Sequence, residues 1–172
     1  MTRWLVTSFI FSCAVLLVGC GTPVNQSATS KSHPTVSTVA RGANRLTASD
    51  LKIGHLFIEQ KLNSVRAFYD KPTITSIVHG NGAPQWNYAK KGFSVGGSPV
   101  FTIIARLGFS GSTPRGIHIG STTERVKQAY PMAHWVQHHT QLFAQTPNHK
   151  FSIDFQITRG TVTTIVLTNN NP

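Results

Sequence analysis

Two stretches of the chain carry the same order of apolar and polar positions. Residues 56–70 read LFIEQKLNSVRAFYD and residues 117–131 read IHIGSTTERVKQAYP. At a constant offset, Leu56, Ile58, Val65 and Tyr69 fall opposite Ile117, Ile119, Val126 and Tyr130. In the second stretch Val126, Ala129 and Tyr130 share one face at helical spacing, which predicts a helix ending at Tyr130. Ser121-Thr122-Thr123-Glu124 fits a capping box at its start: Ser121 accepts from the Glu124 backbone N–H and the Glu124 carboxylate reaches back. Pro131 ends the helix, because the residue before a proline is pushed out of helical backbone angles. In the first stretch Ile58, Leu62, Val65 and Tyr69 predict the matching helix, closed by Lys71-Pro72.

Short strand-like runs follow each helix. KFSIDFQI alternates Phe151, Ile153, Phe155 and Ile157 on one face, a period of two, and places Asp154 toward solvent. HWVQH and TQLFAQT are short strands before it, and TVTTIVLT after the Arg159-Gly160 turn is rich in β-branched residues. The first half offers TITSIVH, QWNYAKKGFSV and the run Val100–Ile104. The expectation is an α+β fold of two tandem units, residues 49–110 and 111–172, each a helix packed on its own small antiparallel sheet. Val65 and Val126 should then occupy matching buried positions, with Val95 and Ile153 pointing inward beneath them.

Ahead of these units the pattern changes. Residues 20–48 are dominated by Ser, Thr, Pro, Asn and Gly with no apolar period, and read as a flexible tether. Residues 1–19 have a cation, Arg3, then an apolar run from Leu5 to Val18. That run is short of the roughly 20 residues that span a bilayer and has the form of a signal-peptide core. It closes on Leu17-Val18-Gly19-Cys20, which resembles the bacterial lipoprotein box. The resemblance implies cleavage before Cys20 and a diacylglycerol on its thiol, with Cys13 discarded in the signal. Two or three acyl chains give stable anchoring where one is marginal. The expected location is the extracytoplasmic face of the cell membrane.

The run Gly116-Ile117-His118-Ile119-Gly120-Ser121-Thr122-Thr123-Glu124-Arg125-Val126, ending in Tyr130-Pro131, resembles a known module opening. It is similar to the I-x-x-G-x-S-x-x-E-V signature of the SmpA/OmlA (BamE) family of small bacterial lipoproteins. It is also similar to the tandem-repeat β-lactamase inhibitor protein fold. The resemblance covers residues 116–167 well and 53–107 weakly. It implies binding and scaffolding of a protein partner, and it implies no catalytic residue.

Charge adds a second partner class. The 172 residues hold 16 Lys+Arg against 5 Asp+Glu, a formal net charge of +11, while charged residues are only 12% of the chain. Such a balance attracts wall polymer, DNA or anionic lipid, and a carboxylate-poor surface also suits an acidic setting. The basic residues are scattered, with Lys90-Lys91 the only adjacent pair. Both cysteines precede the folded part, so no disulfide framework and no thiolate metal site is expected there. A histidine metal site would draw on His134, His138 and His139 with His118 and His149; on a strand His134 and His138 would face one side and His139 the other. No metal-protease motif accompanies them, and the reading expects no metal or other cofactor. Five carboxylates leave little for acid–base chemistry, and no nucleophile elbow is present, so neither an enzyme nor a small-molecule substrate is expected. Trp86, Tyr88, Trp135 and Phe143 are candidates for an aromatic binding surface; alternate strand positions make a core role the plainer reading.

Overall fold

The computed structural model describes residues 44–77 and 82–172. The expected signal peptide, Leu17, Val18, Gly19 and Cys20, and the tether up to residue 43 lie outside them. A 3-10 turn at Ala48–Asp50 leads into a hairpin of β1 (Lys52–Ile53) and β2 (Leu56–Phe57), then helix α1 (Leu62–Tyr69). Four strands follow: β3 (Ile74–Ile77), β4 (Pro84–Tyr88), β5 (Phe93–Gly96) and β6 (Thr102–Arg106). Helix α2 (Thr123–Ala129) opens the second half, with β7 (His134–Val136), β8 (Gln141–Gln145), β9 (Phe151–Thr158) and β10 (Thr161–Asn169).

The expectation of two units with separate sheets is overturned. All eight of the later strands form one antiparallel sheet in the order β3-β4-β5-β6-β10-β9-β8-β7. The join is β6 with β10, paired from Thr102↔Thr168 to Arg106↔Thr164. The reason lies in those two strands. Each carries adjacent apolar residues facing both ways, Ile103 with Ile104 and Ile165 with Val166 and Leu167. Two separate sheets would leave both strands as apolar edges with unpaired backbone groups, which the pairing removes. Among the described residues the fold is mostly antiparallel sheet, with two short α-helices on one side.

Alternation sorts the sheet into two faces. Leu142, Ala144, Ile153, Phe155, Ile165, Leu167, Ile103, Ala105, Val95 and Phe93 are all buried on one of them. The helices pack there: Tyr69 meets Phe93 edge-on at 4.7 Å, and Tyr130 lies 5.0 Å from Phe155. Val65 and Val126 are both buried within the single core, as are Val95 and Ile153.

Local details depart from the sequence reading. Ile58 precedes α1, which begins at Leu62 behind Lys61 with no side-chain cap. The cap of α2 is Thr122, whose hydroxyl accepts from the Arg125 N–H at 3.3 Å. Ser121 instead accepts the His118 N–H at 3.0 Å and is buried. Both residues can cap; Ser121 is drawn inward to satisfy the turn before the helix. Leu46, assigned by composition to the tether, is 1% exposed.

One ion pair ties that N-terminal arm to the second half. Arg115 Nε and Nη2 donate to the two Asp50 carboxylate oxygens at 2.7 and 2.9 Å. The backbone N–H and hydroxyl of Thr47 each donate to Asp50 Oδ2 at 2.9 Å. Arg115 also donates to the carbonyls of Ala129 and Arg45, both at 3.0 Å, and its guanidinium lies 4.8 Å from the centre of the Tyr130 ring. Burial by itself would raise the Asp50 pKa; the hydrogen bonds from Arg115 and Thr47 outweigh it and hold the group below its ordinary value near 3.8.

Removing one partner of such a pair leaves a buried charge without its counterion. Arg115→Met should therefore lower unfolding free energy at pH 7 by about 3 kcal/mol in denaturant titration. Asp50 contributes stability above its unfolded pKa, and this is lost as pH falls through its lower folded value. The deficit of Arg115→Met against wild type should shrink below about pH 4. An equal deficit at pH 7 and pH 3 would show that the guanidinium acts by packing alone.

Candidate functional site

The helices, Trp135 and the apolar strand positions share one face of the sheet, so the alternate positions define the other. Register places one residue from every strand in a row across it. Reading from β7 to β3, the row is His134, Phe143, Asp154, Val166, Ile104, Ser94, Asn87 and Ile74. On one side run Val136, Gln141, Gln156, Thr164 and Arg106. On the other run Gln145, Ser152, Thr168, Thr102, Gly96, Gln85 and Ser76. At about 4.8 Å per strand the row is roughly 34 Å long, and three rows cover roughly 700 Å².

Across these rows Asp154 and Arg106 are the only Asp, Glu, Lys or Arg residues. Small and amide side chains fill the flanks, and Phe143, Val166 and Ile104 make an apolar stripe in the middle. Asp154 stands within that stripe, between Phe143 on β8 and Val166 on β10. Sequence alternation puts its side chain on this face, as expected, but not in open solvent. Burial pushes its pKa up to about 6. Its Oδ1 atom has no hydrogen-bond partner. A half-buried carboxylate beside apolar neighbours is a directional acceptor held ready for a donor.

The four aromatic candidates do not form one surface. Tyr88 is 2% exposed and stacks on Phe93 at 4.5 Å in the core. Trp86 packs against that same core, in register with Val95. Trp135 faces α2, with Lys127 Nζ 5.2 Å from its ring centre. Phe143 alone lies on the opposite face, where His134 meets it edge-on at 5.7 Å. The core reading of alternate aromatic positions holds for the other three.

The histidines are spread out. Strand β7 stops at Val136, and Gln137, His138 and His139 all take left-handed backbone angles in the turn, so strand alternation does not govern them. His139 meets Trp135, and His118 Nδ1 lies 2.8 Å from the Ile119 carbonyl oxygen. Among the described residues no three His, Cys, Asp or Glu side chains come together in a way that could hold a metal. Of the carboxylates, Asp50 is paired with Arg115, and Glu59 lies 2.9 Å from Lys150 Nζ at the surface.

No protein-family model, curated protein or solved structure matches the chain. Asp154 supplies a direct check. Its folded pKa is raised, so its contribution to stability is full below the unfolded value near 3.8 and is lost as pH rises through about 6. Asp154→Asn should stabilise the domain at pH 7.5 by about 1 kcal/mol, a figure discounted for the exposed part of the group, and change nothing at pH 3. Thermal unfolding at both pH values tests this. Destabilisation at pH 7.5 would mean that the carboxylate already has a partner.

Proposed function

We propose that the chain is a lipid-anchored envelope protein whose domain binds a protein partner, without catalysis, through the sheet face centred on Asp154. One observation carries the reading: in a chain of net charge +11, three sheet rows hold a single Lys/Arg and a single carboxylate. Cores of protein interfaces are depleted in charge and carry isolated apolar anchors. A polyanion binder would instead gather its lysines and arginines on the face it uses. The resemblance of residues 116–131 to SmpA/OmlA lipoproteins supports an envelope scaffolding role, and the lipoprotein box at Leu17–Cys20 supports the anchor. The bound partner would place a donor against Asp154 between Phe143 and Val166.

Two measurements test this reading. Labelled palmitate should enter the wild type and not Cys20→Ser; equal labelling would remove the anchor. A photo-reactive residue at Ile104 or Val166 should give a discrete, protease-sensitive adduct in the native envelope. The same probe at exposed Arg159 should not. Identical adducts at all three positions, or adducts abolished by nuclease, would overturn protein binding at this face.

A further inference from the structure

On the helix side of the sheet lies a cleft of about 450 Å³. We propose that it binds a small anion carried on a ring, such as a phosphorylated sugar or nucleoside, with Lys90 and Lys91 holding the anion and Phe68 stacking on the ring. Four segments build it: the β1–β2 turn with His55, the end of α1 with Phe68 and Tyr69, the turn between β4 and β5 with Lys90 and Lys91, and the loop after β6 with Phe109.

The aromatic wall is a ladder running out of the core. Phe109 lies 5.5 Å from Phe93, Phe93 lies 4.7 Å from Tyr69, and Tyr69 lies 4.8 Å from Phe68. Phe68 lies 4.0 Å from the His55 ring, tilted by 32° to it, and remains 56% exposed. A large ring with its inner edge fixed and so much of its surface in water is a platform for a second ring.

The charge is one-sided. Lys90 and Lys91 line the cleft and no carboxylate does. Neither lysine makes an ion pair among the described residues. Two cations lining one cleft without a carboxylate raise its potential, which an anion relieves. Both lysines sit on the 3-10 turn Ala89–Lys91, closed by Gly92 in the left-handed region, and both line the cleft.

The walls are fixed by close backbone contact. Gly92 has φ +68°, and a Cβ there would stand 2.4 Å from the Phe109 nitrogen. A Cβ at Gly111 would stand 2.5 Å from the Phe109 ring and 3.0 Å from the Gly54 Cα. Gly54 N–H also donates to the Ser112 carbonyl at 2.9 Å. These contacts clamp the lysine turn, the hairpin turn and the 108–111 loop together, so the cleft is pre-formed. Its volume falls in the usual range for small-molecule sites.

Calorimetry on the full chain in detergent tests the proposal, with glucose 6-phosphate, AMP, glucose, adenosine and inorganic phosphate as probes. At least one phosphorylated ring should bind ten-fold more tightly than both its unphosphorylated counterpart and inorganic phosphate. Which one binds distinguishes a sugar from a nucleobase ligand. Lys90→Met/Lys91→Met should lower that affinity ten-fold or more. Phe68→Ser should lower it about five-fold and leave inorganic phosphate unchanged. All three positions are exposed, so circular dichroism should show an unaltered fold. The proposal fails if neither phosphorylated ring exceeds inorganic phosphate, if glucose or adenosine binds as well as its phosphate, or if the lysine variant binds as wild type.

Discussion

The pairing of β6 with β10 is the constraint on which the rest of the structure depends. It turns two short meanders into one sheet and leaves only β3 and β7 as edges. Ile103, Ala105, Ile165 and Leu167 on one side of the join become the centre of a shared core, reached by α1 from one half and α2 from the other. On the other side Ile104 and Val166 meet, and the row they start runs across every strand without a break. A sheet in two pieces would have no such row. The sheet face proposed to bind a partner is thus a consequence of the same backbone pairing that closes the core.

The Asp50–Arg115 pair does for the helix side what the strand pairing does for the sheet. The arm before β1 has little apolar surface beyond Leu46 and Leu51. Arg115 holds it by the two oxygens of Asp50 and the carbonyl of Arg45, while reaching the last carbonyl of α2 and the face of Tyr130. A planar guanidinium with donors on several sides can satisfy all of these at once, and a lysine could not. The pair therefore fixes how the start of the domain lies against its second half.

Legibility from sequence followed the range of the interaction. Strand periodicity in KFSIDFQI and the stripe Val126, Ala129 and Tyr130 depend on near neighbours, and both elements stand where the pattern puts them. The cap of α2 was off by one residue, because Ser121 and Thr122 are equally able to cap and only the fold shows that Ser121 serves His118. Sheet architecture was misread because helix-plus-strands order is compatible with two sheets or one. The signal for one sheet was present in the doubly apolar runs of β6 and β10, which suit a central strand rather than an edge. At the face, alternation gave the side of Asp154 but not its burial, which depends on Phe143 and Val166 arriving from other strands. Aromatic residue type marks Trp86, Tyr88, Trp135 and Phe143 alike, and type does not say which side of a strand is covered.

Charge is partitioned between the two sides of the molecule, and this bears on the scarcity of carboxylates. The three rows of the sheet face hold Asp154 and Arg106, two strands and one row apart, and are otherwise uncharged, whereas Lys90 and Lys91 line a cleft where helix, turn and loop meet. A single strongly basic surface would draw anions to both sides of the domain alike. On the two proposals, this separation lets a sparsely charged face select by shape and by one acceptor, and a cationic cleft select by charge and stacking. The carboxylates answer pH in opposite directions. Asp50, held below its ordinary pKa by Arg115 and Thr47, favours neutral conditions, and Asp154, pushed up to about 6 by burial, favours mild acid. Their windows leave a shared range between roughly pH 4 and 6 where the core pair is ionised and the face carboxylate is largely neutral. In that range Asp154 offers a proton as well as an acceptor, so the same face can present either hydrogen-bonding character without any change in fold.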